Sequence, residues 1–118
     1  MHDLKHTHGK NQLSSLQPAF LWEMGLVLTH GNRKYDWYNW KNGNPRDYHD
    51  AILRHSLRYA SGATYDAETG LHHAVFIGAN AMFLHWHDEG DALPNRTCQC
   101  SCCQPPTNGH STNTTFGG

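Results

Sequence analysis

The chain has 118 residues, with nine Lys and Arg, ten Asp and Glu and eleven His, and a formal net charge of −1. That length suits one domain with a core of its own. The balanced charge argues against a basic surface for a nucleic acid polymer and against an acidic tail for a basic partner. No apolar run approaches the roughly 20 residues of a membrane helix, and the stretch Met1–His6 lacks the apolar centre of a secretory signal. A cytoplasmic protein with no membrane partner is expected.

Residues 1–16 are polar and without periodicity, and read as a flexible arm. Pro18 suits a first helical position, and a helix is expected from Ala19 to His30, with Phe20, Glu23, Met24 and Val27 on one side and Gly31 as its C-terminal cap. A connection over about 32–44 follows. Asn44 and Pro45 form a cap and first-position pair for a second helix to about Ser61, which Gly62 ends. After a second connection over about 62–69, Thr69 is expected to cap a third helix from about Leu71 to Glu89, closed by Gly90. Residues 93–118 hold all four cysteines (Cys98, Cys100, Cys102 and Cys103) among turn formers, without the paired arms of a zinc knuckle, and read as a flexible tail. Nothing alternates with period two. The fold class predicted is all-α, a small bundle of about three main helices over 17–92.

Each helix interrupts its apolar stripe with a polar group. The first carries Glu23 between Phe20 and Val27, and the second carries His55 among Tyr48, Ile52 and Tyr59. The third carries His73, Asn80 and His87 with Phe76 and Phe83. At helical spacing these groups face the neighbouring helices. A buried polar group without a partner costs a few kcal/mol, against a typical total stability of about 5–15 kcal/mol. The interrupting groups should therefore meet each other, a metal or a ligand.

The connections carry the remaining chemistry. Asp66, Glu68, His72 and His73 fall within eight residues. Carboxylates suit Mg²⁺ or Mn²⁺, and histidine tips the preference toward Mn²⁺ or another transition metal. Asp66 and Glu68 would also complement the positive end of the third helix. The first connection mixes cations (Arg33, Lys34, Lys41) with Tyr35, Trp37, Tyr38 and Trp40 and with amides such as Asn39. Cations pair with phosphate and aromatic faces stack on bases, although such a loop could equally pack over the end of the bundle. Arg54 and Arg58 stand at i and i+4, placed either to clamp phosphates or to lie in solvent. The His85–Glu89 stretch is expected at the surface.

The ordered run Val27-Leu28-Thr29, Gly31, Lys34-Tyr35, Asn39-Trp40, Gly43, then Arg54-His55, then Asp66, Glu68-Thr69-Gly70-Leu71, His73 and Asn80 resembles the phage and bacterial dATP/dGTP diphosphohydrolase family. That family is related to the MazG-like all-α nucleoside triphosphate pyrophosphohydrolases. The resemblance covers about residues 17–88. It implies hydrolysis of a purine (deoxy)nucleoside triphosphate to the monophosphate and pyrophosphate, with Mg²⁺ or Mn²⁺, in a homo-oligomer (dimer or tetramer). By position it implies catalytic roles for His55, Lys34 and Arg54. Substrate contacts fall to Lys34, Tyr35, Asn39, Trp40, Arg54 and Asn80, and metal contacts to Glu23, Asp66, Glu68 and His73. Two departures stand out: the paired acidic Glu-x-x-Glu motifs of MazG-like enzymes are absent, and Phe76 stands where family members tend to carry another histidine.

Two rival classes predict different behaviour. A non-catalytic nucleotide-binding or host-interaction protein on the same fold would be stabilised by nucleotide without forming product. A structural zinc protein would unfold on chelation.

Overall fold

The computed structural model describes residues 10–94, 96 and 98–101. Residues Leu16–Leu93 form one compact unit, and a second unit comprises the segments before and after it. In that second unit a 3-10 turn spans Leu13–Ser15, and Cys98 Sγ lies 3.0 Å from Cys100 Sγ. Cys102 and Cys103 lie outside the described residues.

The main unit is built from three helices, α1 (Pro18–Lys34), α2 (Pro45–Ala60) and α3 (His73–Glu89). Its fold is all-α, as the hydrophobic spacing predicts, and among the described residues the sole β pairing is an isolated bridge between Tyr65 and His72. None of the described helices is long and apolar enough to cross a membrane.

Helix α1 begins where Gln17 accepts a hydrogen bond from the Phe20 amide and Pro18 takes the first turn. It runs one turn beyond its expected end. Gly31 lies inside the helix, and Tyr35 closes it by donating its amide to Gly31 O at 2.8 Å. Arg33 and Lys34 occupy the extra turn, where cations meet the negative end of the helix dipole. Helix α2 starts as expected, with Asn44 accepting from the Arg46 amide at 2.9 Å. It ends before Gly62, whose φ of 104° is left-handed and suits glycine.

Helix α3 corrects the sequence reading at its start. His72, not Thr69, is the cap, its Nδ1 accepting from the Ala74 amide at 2.9 Å. Thr69 instead donates its amide and hydroxyl to Asp66 Oδ2, at 3.0 and 2.9 Å. A threonine can satisfy a turn or a helix end, and the carboxylate three residues upstream decides between them.

Helix α3 is the central element, packed against both α2 and α1. Val27, Val75 and Ala79 form the buried core, with Phe20, Met24, Leu28, Leu71, Phe76 and Phe83 packed around it. Gly78 lets α1 approach: a Cβ there would lie 2.9 Å from Met24 Sδ and from the Phe20 ring. Among the described residues no buried side-chain polar atom lacks a partner.

Candidate functional site

The turn between α2 and α3 folds back on itself. Asp66 donates its amide to Leu71 O at 2.7 Å, His73 donates its amide to Thr64 O at 3.1 Å, and Gly70 turns the chain with a φ of 75°. This closure returns Asp66 to the first residue of α3. His55, midway along α2, faces the same point, and its Nδ1 lies 2.8 Å from Nδ1 of His73. One ligand atom from each of His55, Asp66 and His73 lies within 4.8 Å of the others. Two of the stripe-interrupting groups have thus met each other, joined by a carboxylate from the adjacent turn.

Each member is held by its surroundings. His73 is 1% exposed. The His55 ring stacks on Phe76, with centroids 4.5 Å apart and planes 5° from parallel. Burial holds the His55 pKa below its ordinary value, and neighbouring His73 acts in the same direction. His55 is therefore neutral near pH 7, with a lone pair available to a proton or an ion. For Asp66, burial alone would raise the pKa, but the Thr69 hydrogen bonds and the two histidines outweigh it and leave the carboxyl lowered.

This cluster opens on a cavity of about 390 Å³, within the size range of small-molecule sites. Its wall includes Lys34, Tyr35, Asn39, Trp40, Arg54, His55, Asp66 and Glu68, which brings eight of the sequence-predicted positions together. Arg58 also lines the cavity, so the i, i+4 arginine pair of α2 faces the site. Lys34 Nζ donates to Glu68 Oε1 at 2.8 Å, with His30 Nε2 at 3.6 Å from the same oxygen. That contact raises the Lys34 pKa and lowers that of Glu68. Glu68 therefore shares the cavity but is turned to Lys34 and His30 of α1, outside the histidine–aspartate cluster.

Three predicted positions stand apart from the cavity wall, and of these His73 belongs to the cluster behind it. Glu23 lies on α1, outside both the cluster and the cavity lining. Asn80 is 8% exposed and donates its amide to Phe76 O at 2.8 Å. Its polarity is satisfied within its own helix.

The aromatic connection packs partly into the bundle. Trp40 stacks on Phe83 with centroids 4.9 Å apart, and Trp86 meets it edge-on. Tyr48 donates its hydroxyl to Trp40 O at 2.7 Å, and His87 Nε2 lies 2.9 Å from the same carbonyl. His87, read both as part of the inward stripe of α3 and as part of a surface stretch, is half-buried beside that carbonyl, 47 residues away in sequence. Its spacing from Phe83 in the α3 stripe was the available signal. His30, on the exposed-to-buried margin of α1, was missed as a cavity residue. The last turn of α1, beyond its expected end, is what carries the cavity past Gly31 to Lys34.

Residues 2–94 match the model of the dATP/dGTP diphosphohydrolase family, N-terminal domain. The chain belongs to this family. It is also 37% identical over 86 residues to a dATP/dGTP diphosphohydrolase of Salmonella phage PMBT28, a stretch covering 73% of this chain. The same stretch covers 30% of that relative, so the chain spans under a third of its length. No solved structure matches the chain. The family match takes in all three helices and every residue of the histidine–aspartate cluster, so the cavity lies wholly within the diphosphohydrolase N-terminal region.

Proposed function

We propose that this diphosphohydrolase domain binds a purine deoxynucleoside triphosphate in the cavity beside α1 and hydrolyses it to the monophosphate and pyrophosphate, as a MazG-like pyrophosphohydrolase does. One observation carries the reading: three cations, Lys34, Arg54 and Arg58, line the same cavity as the His55–Asp66 side of the cluster. That arrangement offers charge for the phosphates next to groups able to manage a water or an ion. The names of the family and of the phage relative agree with it.

Lys34 and Arg54 would neutralise charge developing on the phosphate oxygens, with Arg58 beside them. A divalent metal, Mg²⁺ or Mn²⁺, held at the carboxylate and imidazole end would screen the phosphates and lower the pKa of a bound water. Asp66 and His73 fit such a group, being a lowered carboxyl and a buried imidazole nitrogen within reach of each other. Glu68 is engaged by Lys34 and stands outside this group. His55, neutral and facing the cavity, can take the proton of the attacking water. The water oxygen bonds to the α-phosphorus, the bond to the α–β bridging oxygen breaks, and pyrophosphate leaves. Tyr35, Asn39 and Trp40 line the cavity and would contact the base, Tyr35 by stacking and Asn39 by amide hydrogen bonds.

The test is direct. Purified chain is incubated with each deoxynucleoside triphosphate and Mg²⁺ or Mn²⁺, and products are separated by chromatography. Monophosphate and pyrophosphate from a purine nucleotide are expected; no turnover of any nucleotide with metal present removes the enzyme reading.

A second reading, nucleotide binding without turnover, draws on Glu68 being engaged by Lys34. It predicts thermal stabilisation by nucleotide with no product. In either case a homo-oligomer is proposed, because Trp22 is 75% and Leu57 69% exposed, apolar surface that a second copy would cover. Light scattering showing a monomer at micromolar concentration would contradict it.

A further inference from the structure

His55 and His73 come from different helices, and Asp66 comes from the turn between them. A hydrogen bond between two imidazoles explains the 2.8 Å contact of their Nδ1 atoms, provided one ring keeps its proton there. It does not explain why a carboxylate is drawn to the same point. We infer that His55 Nδ1, His73 Nδ1 and an Asp66 carboxylate oxygen form a single metal site that prefers a first-row transition dication to Mg²⁺. Its part in phosphate chemistry rests on the hydrolase reading above, whereas its donor set stands on geometry.

The spacing suits an ion. An imidazole nitrogen sits about 2.0–2.1 Å from such a metal, so two on adjacent octahedral positions lie roughly 2.8–3.0 Å apart. The histidines already have that separation. The three ligand atoms lie within 4.8 Å of one another, so a side-chain adjustment of roughly 1–2 Å brings the carboxylate to the same spacing.

The donor chemistry decides the metal. Two imidazoles and one carboxylate with open positions is the pattern that transition dications occupy. Mg²⁺ favours an all-oxygen shell and gives up its waters reluctantly. This ligand set differs from the one the family resemblance implies: His55 joins as a ligand instead of serving as the base, and Glu23 and Glu68 are left out.

The supports are those a metal ligand requires. Thr69 holds Asp66 through Oδ2 with two hydrogen bonds, and Phe76 lies flat against His55. Ligands fixed in this way need little reorganisation when the ion enters. His55 and Asp66 line the cavity, whereas His73 is buried behind its wall. The open coordination positions therefore face the cavity, where water or phosphate oxygens would complete the shell.

The test uses the full chain, stripped with a chelator and dialysed, then titrated calorimetrically with Mn²⁺ and with Mg²⁺. One equivalent of Mn²⁺ should bind at least about tenfold more tightly than Mg²⁺. Asp66→Asn and His55→Gln should each weaken Mn²⁺ binding at least about tenfold, with circular dichroism confirming the helices. Undiminished binding in both folded variants would assign the ion to other histidines and overturn the site. Absence of Mn²⁺ binding, or equal affinity for the two metals, would overturn it as well. A second readout needs no variant: on adding Zn²⁺, nitrogen NMR should show the Nδ1 resonances of two histidines shifting together, and a shift confined to other histidines sinks the inference. The two readings fail separately. A metal bound as described without turnover of any nucleotide removes the hydrolase reading alone, and turnover of a purine nucleotide by unsubstituted chain that binds Mn²⁺ no more tightly than Mg²⁺ removes the metal site alone.

Discussion

His55 Nδ1 and His73 Nδ1 lie 2.8 Å apart although 18 residues separate them in sequence. At that distance the two nitrogens cannot both carry a proton, so at least one ring presents a lone pair to the other. Burial, followed by the proximity of His73, depresses the His55 pKa and reinforces this state.

A pH dependence of stability follows. A histidine whose folded pKa is depressed binds fewer protons folded than unfolded, so stability is fully present above the unfolded value of about 6.5 and is lost as pH falls toward the folded pKa. Thermal melts of metal-free protein from about pH 7.5 to about pH 5.5 should show a falling Tm. His55→Gln should flatten that part of the profile, and an unchanged slope would count against the assignment.

Lys34 and Glu68 test the phosphate side of the cavity. Both are solvent-accessible, with side chains 48% and 63% exposed, so breaking their contact should barely move Tm. Lys34→Met should nevertheless weaken binding of a purine triphosphate by about tenfold. Fluorescence or calorimetric titration measures this, and equal affinity in the variant would remove Lys34 from the binding site.

The aromatic connection separates packing from recognition. Trp40 is held between Phe83 and Trp86, so Trp40→Ala should cost about 2–4 kcal/mol in chemical denaturation. Tyr35, 62% exposed at the cavity wall, should behave in the opposite way: Tyr35→Ala raises KM and leaves the denaturation midpoint nearly unchanged.

Two glycines give a paired stability test. A Cβ on Gly25 meets nothing within 4 Å, so Gly25→Ala in the interior of α1 should stabilise by about 0.5–1 kcal/mol. A Cβ on Gly78 would press on Met24 and Phe20 at 2.9 Å, so Gly78→Ala should destabilise by about 1–3 kcal/mol through overpacking. Denaturation midpoints of the two variants should move in opposite directions.

The three helices were legible because their signals are local. Asn44-Pro45, Gly62 and Gly90 act within a turn of where they stand, and apolar spacing sets the helical class. The argument that interrupting polar groups must find partners was local too, and it picked out His55 and His73. It also pointed to Asn80, which proved to be satisfied by its own helix through Phe76 O. Which partner each group takes depends on how the helices cross, and no single-helix pattern contains that. The cap of α3 moved from Thr69 to His72 because Thr69 had a competing acceptor in Asp66. His87 meets Trp40 O, a backbone group that the sequence does not mark as reachable. Residue types and helix ends were thus set by short-range physics. The meeting of His55, Asp66 and His73, and the separation of Glu23 from them, were decided by α3 packing between α1 and α2 and by the turn that folds Asp66 back onto it.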